Sequence, residues 1–170
     1  MSTPVRHRAF ISLGSNIEPE QNLPRAVELL AQSGDVIAKS NVWQSAPVGD
    51  VHQADFYNAA VLIETTLSPV VLKESLRQIE SQLKRVRDPH NKNAARTIDL
   101  DLSLYDQETI MVENRPIPDP DILKRPFVAI PLAELDSDYL HPVEQVTLQK
   151  IASRFDLDQW GMKQSETIRL

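Results

Sequence analysis

Residues 97–105 alternate strictly, with Ile98, Leu100, Leu102 and Leu104 at every second position and Asp99, Asp101 and Ser103 between them. A two-residue period sends successive side chains to opposite faces, so the segment predicts a half-buried strand whose second face carries a pair of acids. Their alpha carbons stand roughly 6 to 7 Å apart. Aspartate is disfavoured within strands and like charges on one face repel, so a hard cation with oxygen ligands is a natural compensation. Magnesium suits such a pair, because it takes one or two carboxylates and fills its remaining positions with water and substrate phosphates. The bland alternative is the solvated outer face of an edge strand.

The rest of the chain supplies a setting for that strand. Residues 9–13 read as a strand stopped by a Gly14-Ser15-Asn16 turn, and a helix follows with Asn22 as cap and Pro24 where a missing amide proton is harmless. Its apolar face is Leu23, Ala26, Val27 and Leu30, and Gly34 ends the pattern. Residues 36–43 look extended, and after a loop at 45–55 so do residues 56–65. Ser68 then caps a second helix with Pro69 at its first position and Leu72, Leu76, Ile79 and Leu83 on its buried face, Lys73, Glu80 and Lys84 lying opposite. Strand, helix, strand, strand, helix, strand is the split arrangement of an α+β, ferredoxin-like sandwich, a mainly antiparallel sheet with helices packed on one face. Beyond it a hairpin, a Pro-rich connection at 115–131, a last helix near 144–155 and a loosely held tail from Asp156 are expected. At 170 residues and 41% apolar content, the whole chain is expected to form a single domain with its core between about residues 8 and 155.

Composition narrows the chemistry. Without cysteine there is neither a disulfide framework nor a thiolate metal site, which suits the cytoplasm. The longest wholly apolar stretch, residues 59–63, is far too short to span a bilayer, and no signal-peptide pattern follows the first residues, so no membrane association is expected. A formal charge of −6 opposes general nucleic-acid binding. Only four glycines are present, Gly14, Gly34, Gly49 and Gly161, and no Walker-type motif, so side chains must do any phosphate binding. Lys84, Arg85, Arg87, Lys92 and Arg96 lie just before the acid pair and together could grip a polyphosphate; the alternative is a basic surface patch. Residues 88–95, DPHNKNAA, read as a loop able to close over substrates or as a plain surface loop. Ser45-Ala46-Pro47-Val48-Gly49 followed by Gln53, Phe56 and Asn58 offers an aromatic face beside amides and hydroxyls, a fit for a flat heterocycle, unless Phe56 is simply core. His7, His52, His90 and His141 have no metal-binding spacing.

Read in order, Phe10-Ile11-Ser12-Leu13-Gly14-Ser15-Asn16, then Pro47-Val48-Gly49 with Gln53, Phe56 and Asn58, then Ile79-Glu80, Arg85-Val86-Arg87, Arg96-Thr97-Ile98-Asp99-Leu100-Asp101, and finally Arg125-Pro126-Phe127 with Pro131-Leu132, resemble the hydroxymethyldihydropterin pyrophosphokinase family of folate synthesis. The resemblance implies that ATP donates its terminal pyrophosphate to a pterin hydroxymethyl group and AMP leaves. It implies two Mg2+ ions on Asp99 and Asp101, with Arg85 and Arg96 steadying the transferring group. It further implies a pterin site of Gly14, Ser45, Pro47, Val48, Phe56, Asn58 and Phe127, with the nucleotide along Glu80, Arg87, Leu102 and Arg125. Small-molecule substrates and a monomer are expected. Against the family pattern stand Lys92-Asn93-Ala94-Ala95 before Arg96, Asp119 after Pro118, and Lys84 where glycine is usual. Those departures fit a divergent member with altered activity. A ferredoxin-like RNA-binding module remains a second alternative, disfavoured by two acids on the sheet face.

Overall fold

A computed structural model describes residues 3–47, 52–91 and 93–170. The chain runs β1 (His7–Ser15), α1 (Pro19–Leu30), β2 (Asp35–Lys39), β3 (Trp43–Ser45), β4 (Phe56–Thr65), α2 (Pro69–Gln82) and β5 (Asp99–Tyr105). It continues through β6 (Ile110–Val112), β7 (Arg115–Ile117), a 3-10 turn (Pro120–Leu123), α3 (Pro126–Leu135), α4 (Leu148–Ala152), α5 (Leu157–Trp160) and β8 (Lys163–Gln164). The main sheet has the order β5-β1-β4-β3-β8, with β2 also on β4, and its ladders are antiparallel. This is the predicted ferredoxin-like order, in which each helical crossover skips one strand. β6 and β7 form the expected hairpin.

Local chemistry explains most boundaries and several departures. α2 starts where predicted, the Ser68 hydroxyl accepting from the Val71 amide with Pro69 in the first turn. β1 does not stop at Leu13: Gly14 and Ser15 stay in the ladder opposite Asn58 and Tyr57. α1 begins at Pro19, earlier than the sequence suggested, because the Glu18 carbonyl takes both the Gln21 and Asn22 amides. Asn22 is not its cap; its side chain donates to the Ile17 carbonyl. Pro24 lies inside the helix, which forgoes the bond its amide would have made.

Helices cover both faces of the sheet, not one. Ala9, Ile11, Leu13, Ala59, Val61 and Ile63 pack toward α1 and α2, while Phe10, Ala60 and Leu62 face a second core built from α3 and α4. Central strands buried on both sides read as continuous apolar runs, which is what residues 59–63 are. The alternation in β5 breaks at a bulge: Leu102 faces Ile11 and Leu104 faces Phe10, leaving Ser103 over. Leu104 therefore joins the second core and Tyr105 the first. The Pro-rich stretch contains α3, since Pro126 occupies its first turn and Pro131 is tolerated within it. Nor is the tail loose: β8 pairs with β3, and Ile168 is buried in the first core. Among the described residues no helix is long and apolar enough to cross a membrane.

Candidate active site

Register places the acid pair. Asp99 lies opposite Gly14 and Asp101 opposite Ser12, while Gly14 in turn faces Asn58 on β4, which faces Trp43 on β3. Partners across an antiparallel ladder point the same way, so these residues share the α3 side of the sheet at the end the helix leaves open. A Cβ on Gly14 would stand 3.0 Å from Asn58 Oδ1, so any larger residue there would crowd that side-chain amide.

Two cavities meet at this point. One, of about 130 Å³, is lined by Gly14, Ser45, Asn58 and the rings of Phe56 and Phe127. The other is a groove of about 1040 Å³ between α2, the residues after it and the β6-β7 hairpin, lined by Lys73, Arg85, Arg87, Leu102 and Arg115. Asp99, Asp101, Arg96, Asp119, Asp121 and Arg125 line both. Phe56 is thus a cavity wall and not core, and Arg96 lies 5.5 Å over its ring. Ala46 lines the first cavity where Pro47 does not, and Val48 falls outside the described residues, as does Lys92.

The electrostatics are built around Asp99. Arg85 Nη1 donates to it at 2.7 Å and Arg96 Nη1 at 3.1 Å. Burial by itself opposes the Arg85 charge, but Asp99 and Glu80 outweigh it and raise that pKa. The Nε of Arg85 is buried without a partner, an N–H that a phosphate oxygen would satisfy. Asp101 is pushed up to about 8, first by burial and then by the Asp99 charge. A carboxylate disfavoured in this way gains from a cation, and among the described residues no three acidic or imidazole groups form a closed cage, so the Asp99–Asp101 pair leaves positions open. The donor set fits magnesium.

Several residues differ from expectation. Glu80 does not face solvent: its side chain is 5% exposed, with Oε2 taking Arg85 and the Leu100 amide and Oε1 taking Arg87 at 2.7 Å. Burial pushes this carboxyl up, opposed by the Leu100 amide and the two guanidinium groups. Lys73 also faces the groove, donating to the Val112 carbonyl at 3.4 Å. Asp119 caps the 3-10 turn through the Asp121 amide, so its carboxylate has a structural partner. Lys84 sits at φ 62°, which accounts for a glycine preference at this place. Gln53 is spent on structure, accepting from Asn16 Nδ2 and donating to the Asn93 carbonyl. Asn16 does more than form a turn: it ties this loop to the chain before β5, its Oδ1 accepting the Arg96 amide at 2.8 Å. Turns within 88–95 are closed by Asn91 N to Asp88 O and Ala94 N to Asn91 O.

Residues 10–137 match the family model described as 7,8-dihydro-6-hydroxymethylpterin-pyrophosphokinase. The chain belongs to that family. It is 37% identical over 146 residues to the 2-amino-4-hydroxy-6-hydroxymethyldihydropteridine pyrophosphokinase of Haemophilus influenzae, covering 84% of this chain and 90% of that one. Its identity to the enzyme of the same name from Bacillus subtilis is 39% over 158 residues, covering 91% and 88%. Such identity across nearly the full length makes it an ordinary pyrophosphokinase-family member and overturns the divergent reading. The Lactococcus lactis bifunctional protein FolKE is 35% identical over 87% of this chain, which spans 44% of that longer protein. Among solved structures, a Plasmodium falciparum HPPK-DHPS crystal structure with pterin and p-hydroxybenzoate superposes with a TM-score of 0.76 at 14% identity, covering 95% of this chain and 48% of that one. At that identity the likeness establishes the fold. Arg85, Arg87 and Arg96 are paired with acids inside the pyrophosphokinase fold, which removes the basis for an RNA-binding module.

Proposed function

We propose that this chain, as a single cytoplasmic monomeric domain, transfers the terminal pyrophosphate of ATP to the hydroxymethyl group of 6-hydroxymethyl-7,8-dihydropterin with release of AMP, a step of folate biosynthesis. The observation that carries this reading is the meeting of an aromatic cavity and an arginine-lined groove at one pair of aspartates. Phe56 and Phe127 sandwich the pterin, and Ser45 and Asn58, whose side chains lie 3.4 Å apart, read its polar edge beside Gly14. ATP occupies the groove with its phosphates toward Arg85, Arg96 and Arg125 and the remainder along Arg87, Leu102, Lys73 and Arg115. Glu80 serves it indirectly by holding Arg85 and Arg87 in place.

Two magnesium ions would be held by Asp99 and Asp101; what they supply when bound is neutralisation of phosphate oxygens and Lewis acidity at the transferring phosphorus. Arg85 and Arg96 stabilise the charge that spreads over the equatorial oxygens as the bond to the departing AMP lengthens. The two cavity walls bring the alcohol and the phosphorus together, so positioning and electrostatics account for the rate and no covalent intermediate is needed.

Incubating the protein with magnesium, ATP and the pterin alcohol, followed by nucleotide chromatography, is expected to yield AMP in step with pterin diphosphate. Accumulation of ADP would instead mark an ordinary kinase and defeat the proposal.

A further inference from the structure

We infer that Trp160, which lies outside both cavities, is a positioning residue for pterin binding, holding the Phe127 ring in the orientation the heterocycle stacks on. The inference rests on the proposed stacking role of Phe127. That ring lines the aromatic cavity from the first turn of α3, where a half-buried phenyl group has freedom in its terminal torsion. Trp160 meets it nearly perpendicularly, with centroids 6.4 Å apart and planes at 74°. The indole is itself set by Phe155, at 6.1 Å and 84°. Near-perpendicular contacts on this scale are favourable and directional, so they select one plane for the phenyl ring.

Trp160 is anchored from both sides. The Asp156 carboxylate caps α5 by accepting from the Asp158 and Gln159 amides, and Gly161 at φ 60° turns the chain away from the helix. Met162 then enters the core, β8 pairs with Trp43 and Gln44 of β3, and the Ser165 amide donates to the Val42 carbonyl at 2.8 Å. The next residue of β3, Ser45, lines the same cavity. One C-terminal segment therefore braces two walls of the pterin cavity. Trp160 is 38% exposed, too open for a residue whose purpose is to fill the core, and its ring contacts are with Phe127 and Phe155. Fixing the phenyl plane before the ligand arrives moves an ordering cost from binding to folding.

The test compares Trp160→Leu, Trp160→Met, Trp160→Phe and Phe127→Ala in steady-state assays of AMP formation on the full-length protein. The Leu and Met variants keep apolar bulk but lose the ring, and are expected to raise KM for the pterin alcohol about three- to tenfold with KM for ATP unchanged. Trp160→Phe is expected to restore the wild-type value. A wild-type pterin KM in both ringless variants, alongside a raised one in Phe127→Ala, would overturn the brace and keep the stacking. An unchanged pterin KM in Phe127→Ala would remove the stacking reading itself. Equal rises in both KM values, or loss of soluble protein in both ringless variants, would make Trp160 merely structural and overturn the inference.

Discussion

Glu80 does for the arginines what they would do for phosphate. One carboxylate at 5% exposure holds Arg85, Arg87 and the Leu100 amide, so it links α2 to the strand that carries both aspartates. Glu80→Ala leaves Arg85 buried with one acid fewer. Breaking a buried pair is strongly destabilising, but Arg87 is largely exposed and its share is small, so a loss of about 2–3 kcal/mol is expected in urea unfolding. KM for ATP should rise with it; a variant with wild-type stability would show that the triad is dispensable. Lys84 presents the opposite case, a side chain at φ 62° where glycine is unstrained. Lys84→Gly is expected to raise Tm by about 2–3 °C, relief of the left-handed backbone outweighing the added freedom of the unfolded chain. Calorimetry showing a lower Tm would refute this. The acid pair was legible from alternation and the basic run beside it from charge spacing, but not which members meet Asp99: Arg85 and Arg96 do, and Lys84 and Arg87 of the same run are not its partners. Glu80 was not legible: it lies four residues after Leu76, at the margin of the apolar stripe, and only the packing of β5 on α2 shows that its charge is turned inward.

At the level of elements, the long strands and α2 were readable because period, cap and breaker agreed, whereas α3 was hidden by its own prolines. Pro126 and Pro131 look like breakers in isolation, and burial of Ala129 and Leu132 against the second core overrides that local signal. The corner between α1 and β2 is tighter than sequence could reveal. A Cβ on Gly34 would stand 2.3 Å from the Glu64 carbonyl oxygen of β4, a backbone atom that cannot yield. Gly34→Ala is accordingly expected to cost about 3 kcal/mol or more and to lower Tm by on the order of 10 °C; a near-native melting curve would contradict the close approach. The connection between α3 and α4 depends on His141, which is buried with Nδ1 accepting the Val143 and Glu144 amides. Burial pushes its pKa down, with Glu144 opposing. A base whose native pKa lies below its unfolded value of about 6.5 stabilises fully above that pH and loses its contribution as pH falls through the native value. Urea midpoints measured from about pH 7.5 to about pH 5.5 should therefore drop more steeply for the wild type than for His141→Asn. Parallel profiles would exclude the histidine as the cause.

Across the whole molecule, both cavities converge on one acidic point in a chain of net charge −6. Asp99, Asp101, Asp119 and Asp121 line the junction, and a triphosphate entering it meets those charges directly. The guanidinium groups that would compensate are already engaged: Arg85 and Arg96 with Asp99, Arg85 and Arg87 with Glu80. Asp99 and Asp101 would hold a divalent cation whose charge cancels theirs, and Arg85 and Arg96, held less tightly by Asp99, would then be available to phosphate oxygens. Neither effect depends on the pterin. ATP binding measured by calorimetry without pterin is therefore expected to weaken by on the order of tenfold or more when EDTA replaces magnesium, a change of about 1.4 kcal/mol or more. Asp99→Ala should behave differently, because removing the acid also releases Arg85 and Arg96: its ATP affinity should depend much less on magnesium while pyrophosphate transfer is abolished. Equal ATP affinity with and without the cation in the wild type would mean that the arginines reach the phosphates while still paired, and that the aspartates act on the transferred group alone.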